Sequence, residues 1–306
     1  LVLGFTTSII FFFDNKQIIN HLPILGTSIV ILVRLMPATI SLINNIQHFD
    51  FSTASLYKIK ADFISFEKNQ NIVQEIENLK FENEIIFEDI SYKYAQKNTF
   101  TLKNINFSIK KNSSIGIFGS SGAGKSTLLN LILGLFNPTE GKIKIDNIEI
   151  KKNFSSLRNL VGYVPQDIFI IDDSIKNNIQ FGYSENDDQN STKLLKVINE
   201  SGLSNLISSL KEKENTNIGE VGGRLSGGEK QRISIARAIL KNPEILIFDE
   251  ATKSLDKFNQ DQINKLIKSF FKSKTIINVT HDLESLKGYD VVYKIENGSL
   301  IKITKI

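Results

Sequence analysis

At 306 residues with 41% hydrophobic composition, the chain exceeds one typical domain and can bury a real core, so one full domain plus an extra segment is expected. Its 37 basic and 33 acidic residues leave a net charge of +4, and no run of Lys or Arg forms the basic stripe of a nucleic-acid binder, which argues against a nucleic-acid partner. The absence of cysteine excludes disulfides, thiolate metal sites and a cysteine nucleophile, and it fits a reducing compartment.

The chain opens at Leu1 inside the apolar run "LVLGFTTSIIFFF", with no basic leader before it and no small-residue cleavage site after it, so it reads as a fragment and not as a signal peptide. Residues 1–13 are shorter than the roughly 20 apolar residues a spanning helix needs, and predict the tail of a longer helix. A polar loop, 14–21, then interrupts. From Leu22 to Ile43, "LPILGTSIVILVRLMPATISLI" carries one charge, Arg34, in a stretch long enough to cross roughly 30 Å of hydrocarbon, and predicts a transmembrane helix. The loop before it holds only Lys16, whereas Lys58, Lys60 and Lys68 follow it, which puts the C-terminal side in the cytoplasm. Pro37 is expected to bend or loosen the helix one turn after Arg34. Residues 44–80 read as a helical continuation into a polar connector, with Leu56, Ile59, Phe63 and Phe66 at helical spacing. Residues 1–80 are thus assigned to a membrane segment and 81–306 to a second domain.

From Glu84 the pattern changes to short β-like runs, "EIIFEDISYKY", "FTLKNINFSIKKNSSIGIFG" and "GKIKIDNIEI", the last turning at Asp146-Asn147. Farther on, "EILIFDE" and "KTIINVTHD" are continuous apolar runs ending in charge, as buried parallel strands are, with chemistry expected at their C-terminal ends. Helical patterns lie between them, so the domain is α/β. At the end, Asn297-Gly298 separates two apolar runs and predicts a hairpin.

Three stretches carry chemistry. "GIFGSSGAGKSTLL" contains G-x-x-x-x-G-K-S from Gly119 to Ser126, after a strand-like run and before a helical one, which is the context a phosphate-binding loop requires. Gly119, Gly122 and Gly124 let backbone N–H groups curl round phosphate oxygens, Lys125 would reach the β- and γ-phosphates, and the Ser126 hydroxyl would ligate Mg²⁺. In "ILIFDEA", Asp249 at a strand end is placed to hold Mg²⁺, and Glu250 beside it to orient or deprotonate an attacking water. In "RLSGGEKQRISIARAIL", Ser226 and Glu229 have capping-box spacing, and Gly227 and Gly228 expose N–H groups at a helix start. That makes a second anion cradle on a chain with one phosphate loop.

Together "GSSGAGKST", "LSGGE", "ILIFDEA", "SLD" and "THD", in this order, resemble the nucleotide-binding domain of ATP-binding cassette (ABC) proteins over residues 84–306. The resemblance implies a P-loop NTPase fold of ABC type: a parallel-sheet core with an antiparallel β subdomain and a helical subdomain, preceded by transmembrane helices. It implies a head-to-tail dimer in which Ser226, Gly227 and Gly228 of one chain close on the γ-phosphate held by Lys125 of the other. The implied ATP-contacting set is Tyr94, stacking on adenine, with Gly119, Ser120, Ser121, Gly122, Ala123, Gly124, Lys125, Ser126, Thr127, Ser226, Gly227, Gly228, Glu229 and Asp256. Ser126, Gln166 and Asp249 would serve Mg²⁺; Glu250, His281, Gln166 and Lys125 would serve hydrolysis; Asp256 would communicate across the dimer. Tyr94 and Gln166 each keep a plainer reading, as an ordinary aromatic and as loop polarity. Two positions depart from the family pattern: Glu229 stands where many members have Gln, and Lys253 where a small residue is frequent.

"NTNIGEVGGRLSGG" is similar to the segment before the signature in exporter-type cassette transporters, where Glu220 would face cytoplasmic loops of the membrane domain. The expectation is an ATP-hydrolysing half-transporter in a bacterial-type inner or cell membrane, paired with a second copy or a relative, driving export or lipid flipping. The rival is a soluble ABC-type ATPase acting on DNA or ribosomes; the absence of heptad arms between Gln166 and Leu225, and the single cassette beside a membrane helix, speak against it. "RLMPA" faintly resembles flippases for lipid-linked oligosaccharides, which makes Arg34 a candidate substrate contact; the plainer reading is an arginine that snorkels or pairs with a neighbouring helix.

Overall fold

A computed structural model describes residues 18–70, 80–95, 99–150, 155–183, 190–219, 225–271 and 273–303. The expected helix tail 1–13, Lys16, most of the connector after Gln70, and Glu220 lie outside the described residues. Contacts divide the chain into two units, Leu1–Ile72 and Val73–Ile306.

The first unit contains one 53-residue helix, α1 (Ile18–Gln70). It corrects the expected polar loop at 14–21, because Ile18 to His21 are already helical; that tetrapeptide has no Gly or Pro to oppose the helix. No Gly or Pro follows Pro37 within α1 either, so the apolar part passes into the polar part without a break. The stretch Gly26–Ile64 is long and apolar enough to cross a membrane, and its apolar side chains, from Ile29 through Leu42 to Ile64, are exposed. The helix also runs through Pro37. Proline has no N–H for the Val33 carbonyl four residues back, while the Thr39 hydroxyl donates to the Met36 carbonyl at 2.8 Å one residue before the proline.

The second unit holds two sheets. The antiparallel one runs β2-β1-β4-β5 in space, with β1 (Glu84–Tyr92) paired to β2 (Leu102–Lys110) and β4 (Glu140–Ile145), and β5 (Ile148–Glu149) at its edge. On β1, Ile85 and Phe87 alternate into the core with Phe107 stacked on Phe87 at 4.4 Å, the period-two burial expected of a half-covered sheet. The turn from β4 to β5 places Asp146 and Asn147 at φ 46° and 70°, conformations that Asn and Asp tolerate.

Asp146 has a second use that the sequence did not show. Its carboxylate accepts the backbone N–H groups of Glu82, Asn83 and Glu84 and so anchors the entry to β1. Burial works to raise its pKa, but those backbone donors outweigh burial and hold the carboxyl below its ordinary range. Because the folded value lies below the unfolded one, the stabilisation is present above the unfolded pKa and is lost as pH falls through the folded value. Asp146→Asn keeps the turn conformation and loses the charge, so it should cost about 1 kcal/mol at neutral pH. Urea unfolding should show the difference from wild type vanishing below the carboxylate range.

The larger sheet runs β10-β9-β3-β8-β7-β6. Its members are β3 (Ser114–Phe118), β6 (Val161–Val164), β7 (Ile245–Asp249), β8 (Thr275–Thr280), β9 (Val291–Glu296) and β10 (Ser299–Ile303). All adjacent pairs are parallel except β9 with β10, which form the expected hairpin with Asn297 and Gly298 both at positive φ. β8 is buried along its whole length, as is β7 from Ile245 to Phe248, because both sheet faces are covered; hence the uninterrupted apolar runs. The helices of this unit are α2 (Lys125–Ile132), α3 (Ser155–Leu160), α4 (Ile175–Ile179), α5 (Asn190–Glu200), α6 (Ser204–Ser209), α7 (Gly227–Ile239) and α8 (Lys257–Ser269). Between β6 and β7 in sequence, α4 to α7 build a helical layer whose Ile179, Leu194, Ile198 and Ile233 share one core with Leu246, Phe248 and Ile276 of the sheet.

Candidate functional site: a phosphate loop facing a buried carboxylate

The order β3-β8-β7-β6 decides the site. These strands are parallel, so the segments that follow them emerge at one edge, where ligands of open α/β sheets bind. After β3 comes the loop Gly119 to Gly124, after β8 His281, after β7 Glu250, and after β6 Gln166, which is exposed.

The loop delivers its last residues into the first turn of α2. Gly124 sits at φ 111°, a conformation L side chains rarely adopt, and a Cβ there would lie 2.9 Å from Leu102 Cδ2. No side chain caps α2, whose first residues are Lys125, Ser126 and Thr127, so its first N–H groups remain for an anion. Lys125 Nζ folds back over the loop, donating to the carbonyls of Gly119 at 2.8 Å and Ser120 at 3.1 Å, and lies 3.5 Å from Glu250 Oε1. Tyr94 meets the same element from the antiparallel sheet: its hydroxyl is 3.1 Å from Thr127 Oγ1, and its ring packs edge-on against Tyr92 and Phe136. That bond ties Tyr94 to the loop region through its oxygen.

Glu250 is the most constrained residue of the group. Its φ is 45°, left-handed for a side-chain-bearing residue, and its N–H is fixed to the Val279 carbonyl of β8 at 2.8 Å. Its side chain is only 9% exposed. Oε2 lies 2.6 Å from Lys253 Nζ, a close ion pair, and 3.8 Å from His281 Nδ1. Burial would raise the Glu250 pKa; the Lys253 ammonium, then that of Lys125, outweighs burial and holds the carboxylate ionised below its ordinary range.

Asp249, at the end of β7, accepts a hydrogen bond from the Tyr163 hydroxyl at 3.0 Å. Burial raises the Asp249 carboxyl, with the Tyr163 bond working against the rise and the Glu250 charge adding to it. Burial, with Asp249 next, pushes the Tyr163 phenol up in turn. Tyr163 was not singled out from the sequence; its place in "VGYVPQD", two residues before the Pro165-Gln166 loop, gave no signal without the β6–β7 pairing, in which Tyr163 lies beside Ile247.

The second cradle forms a cluster of its own. Ser226 caps α7 by accepting from the Glu229 N–H, and the Glu229 carboxylate accepts from the Ser226 N–H at 2.7 Å, so the capping box is complete. Asp256 caps α8 by accepting from the Asn259 N–H, and also from the Asn259 side-chain amide. Asn259 joins the two ends: a Cβ on Gly228 would come within 2.6 Å of its Oδ1, so only glycine lets the α7 start approach α8 this closely. A Cβ on Gly227 would meet Leu255 Cδ2 at 3.1 Å, a tight contact that a small shift of the leucine relieves. The structure thereby brings Ser226 to Glu229 together with Asp256, and Asn259 is the link the sequence did not suggest. Arg34 lies on α1, in the other unit, and is exposed.

A glycine-bordered loop feeding a helix N-terminus, opposite an acidic strand end with an enclosed carboxylate, defines a P-loop nucleotide-binding domain. Residues 102–253 match the family model of the ABC transporter. The chain is 37% identical over 219 residues to an export ATP-binding/permease protein of Rickettsia typhi, covering 71% of this chain and 38% of that one. It is 33% identical over 280 residues to an ATP-dependent lipid A-core flippase of Wigglesworthia glossinidia brevipalpis, covering 91% of this chain and 47% of the flippase. A structure of a bacterial Atm1-family ABC exporter with ATP bound superposes with a TM-score of 0.65 at 32% identity, over 74% of this chain and 40% of the other. The chain belongs to the ABC transporter family and carries its ATP-binding domain. It spans less than half the length of the curated relatives it matches.

Proposed function

We propose that this chain supplies the ATP-hydrolysing cassette and a membrane-spanning helix of an exporter-type half-transporter, which pairs head to tail with a second cassette and drives export or lipid flipping across a cell membrane. The observation that carries the reading is the enclosed carboxylate of Glu250 beside a phosphate loop whose lysine already leans toward it.

ATP would lie with its phosphates in the loop from Gly119 to Thr127, where Lys125 exchanges the carbonyls of Gly119 and Ser120 for phosphate oxygens. Glu250 then takes the proton of a water as its oxygen bonds to the γ-phosphorus; the bond from that phosphorus to the bridging oxygen breaks and ADP leaves. His281, which follows β8, would hydrogen-bond a γ-phosphate oxygen, and Tyr94 would support the adenine. Among the described residues no group of three acidic or histidine side chains could hold a metal ion without a nucleotide. Asp249, Ser126 and Gln166 would hold Mg²⁺ as it is usually held, by one or two protein oxygens plus phosphates. Bound there, Mg²⁺ would neutralise charge building on the phosphates. Ser226, Gly227, Gly228 and Glu229 of the paired cassette would close on the γ-phosphate from the other side, with Asp256 carried on the same cluster.

For the substrate, α1 offers Arg34 in an apolar stretch, one residue from the Val33 carbonyl that Pro37 leaves without its helical donor, and beside it a shallow groove that Val33, Met36, Pro37 and Ile40 share with Ser41, Asn44, Asn45 and His48. A cationic group in an apolar span suits an amphiphile with an anionic head, and a relative is named a lipid A-core flippase. The test is the full-length protein in liposomes, supplied with lipid-linked sugars, phospholipids and peptides. ATP-dependent movement of an anionic lipid, lost on Arg34→Gln with basal hydrolysis unchanged, is expected. Recovery of the full-length protein in the soluble fraction without detergent would overturn the transporter reading.

A further inference from the structure

Two ammonium groups approach the Glu250 carboxylate, and they differ in kind. Lys125 belongs to the phosphate loop, approaches Oε1 at 3.5 Å, and has the loop carbonyls as alternative partners. Lys253 belongs to the turn between β7 and α8, three residues after Glu250, with its own N–H bonded to the Glu250 carbonyl at 3.0 Å. Its Nζ stands 2.6 Å from Oε2, closer than Lys125 comes to Oε1. The lysine side chain is 46% exposed and the carboxylate 9%, so the cation reaches in from solvent and covers the oxygen a water must reach. A small side chain at this position could not do so. The lysine end of this close ion pair is half-exposed, so it has open solvent to swing into.

We infer that Lys253 is a positioning residue that latches Glu250: its ammonium occupies the approach to Oε2 and must swing into solvent before Glu250 can take the attacking water. The inference rests on the reading of Glu250 as the hydrolytic base. Lys253 pairs with Glu250 and with no residue of the phosphate loop, so the latch sets the rate of turnover and leaves nucleotide affinity alone. With the carboxylate enclosed, opening it costs at least what an exposed ion pair is worth, so removing it should raise kcat by at least about 3-fold.

Steady-state ATP hydrolysis by the full-length protein tests this. Lys253→Ser, and Lys253→Met, which keeps the apolar stem and removes only the charge, should both raise kcat with KM unchanged. Lys253→Arg restores a cation and should stay near wild type. A lysine serving only to hold the turn would instead slow the serine variant and lower its melting temperature. A serine or methionine variant at or below the wild-type rate, or an arginine variant as fast as serine, overturns the latch while leaving hydrolysis by Glu250 in place. A wild-type protein no faster than Glu250→Gln overturns the hydrolase reading and the latch with it.

Discussion

Glu250→Gln is expected to bind ATP within about two-fold of wild type and to hydrolyse it at least about 100-fold more slowly, the loss expected when a general base is removed. Glutamine has the same shape, and the left-handed backbone at φ 45° constrains it no more than glutamate. What it lacks is a group to accept the proton. Lys125 also loses the carboxylate 3.5 Å away and becomes freer to serve phosphate, which is why affinity should hold. Titration with a fluorescent ATP analogue, paired with a phosphate-release assay, separates the two effects. Retained steady-state hydrolysis would remove Glu250 from the catalytic role.

The second large effect concerns pairing between chains. Lys125→Ala should cripple the phosphate grip, and Gly228→Val should cripple the second cradle, because even a Cβ at that position lies 2.6 Å from Asn259 Oδ1. Each variant alone should be nearly inactive. In a head-to-tail dimer, however, one chain of each kind gives one site with both defects and one site with neither. Co-expressed in equal amounts, half the dimers are mixed and each carries one intact site of two, so about a quarter of wild-type hydrolysis should return if the sites act independently. Cradles that serve their own chain predict no recovery at all. The measurement is ATP hydrolysis by the unfractionated co-expressed dimers; mixed dimers isolated through different tags on the two variants should retain about half.

Both predictions draw on features that differ in how far the sequence revealed them. Where a structure depends on neighbours in the chain, the sequence was enough. Asp146-Asn147 and Asn297-Gly298 read as turns because positive φ is a property of those residues, and Ser226 with Glu229 read as a capping box because the helix sets their spacing. The strand, loop and helix around Lys125 are contiguous, so a phosphate loop was legible before any fold was known. Apolar Leu22 to Ile43 announced a long helix, although its start at Ile18 was not seen, because residues that merely permit a helix leave no mark.

Only the tertiary structure decided what faces what. Lys125 and Glu250 are far apart in sequence and meet because β3 and β7 flank β8 in a parallel sheet, an order set by packing and crossovers and not by local pattern. The same order puts the Tyr163 hydroxyl on Asp249, and the packing of α7 on α8 puts Asn259 against Gly228. Lys253 was visible in sequence as a departure from its family. That its charge would end 2.6 Å from a buried oxygen depended on the left-handed turn at Glu250, which aims that side chain back beneath the lysine. Residue types and spacings determined which chemistry this protein could perform; the sheet order determined which of those groups meet, because long-range pairing is set by the free energy of the whole core.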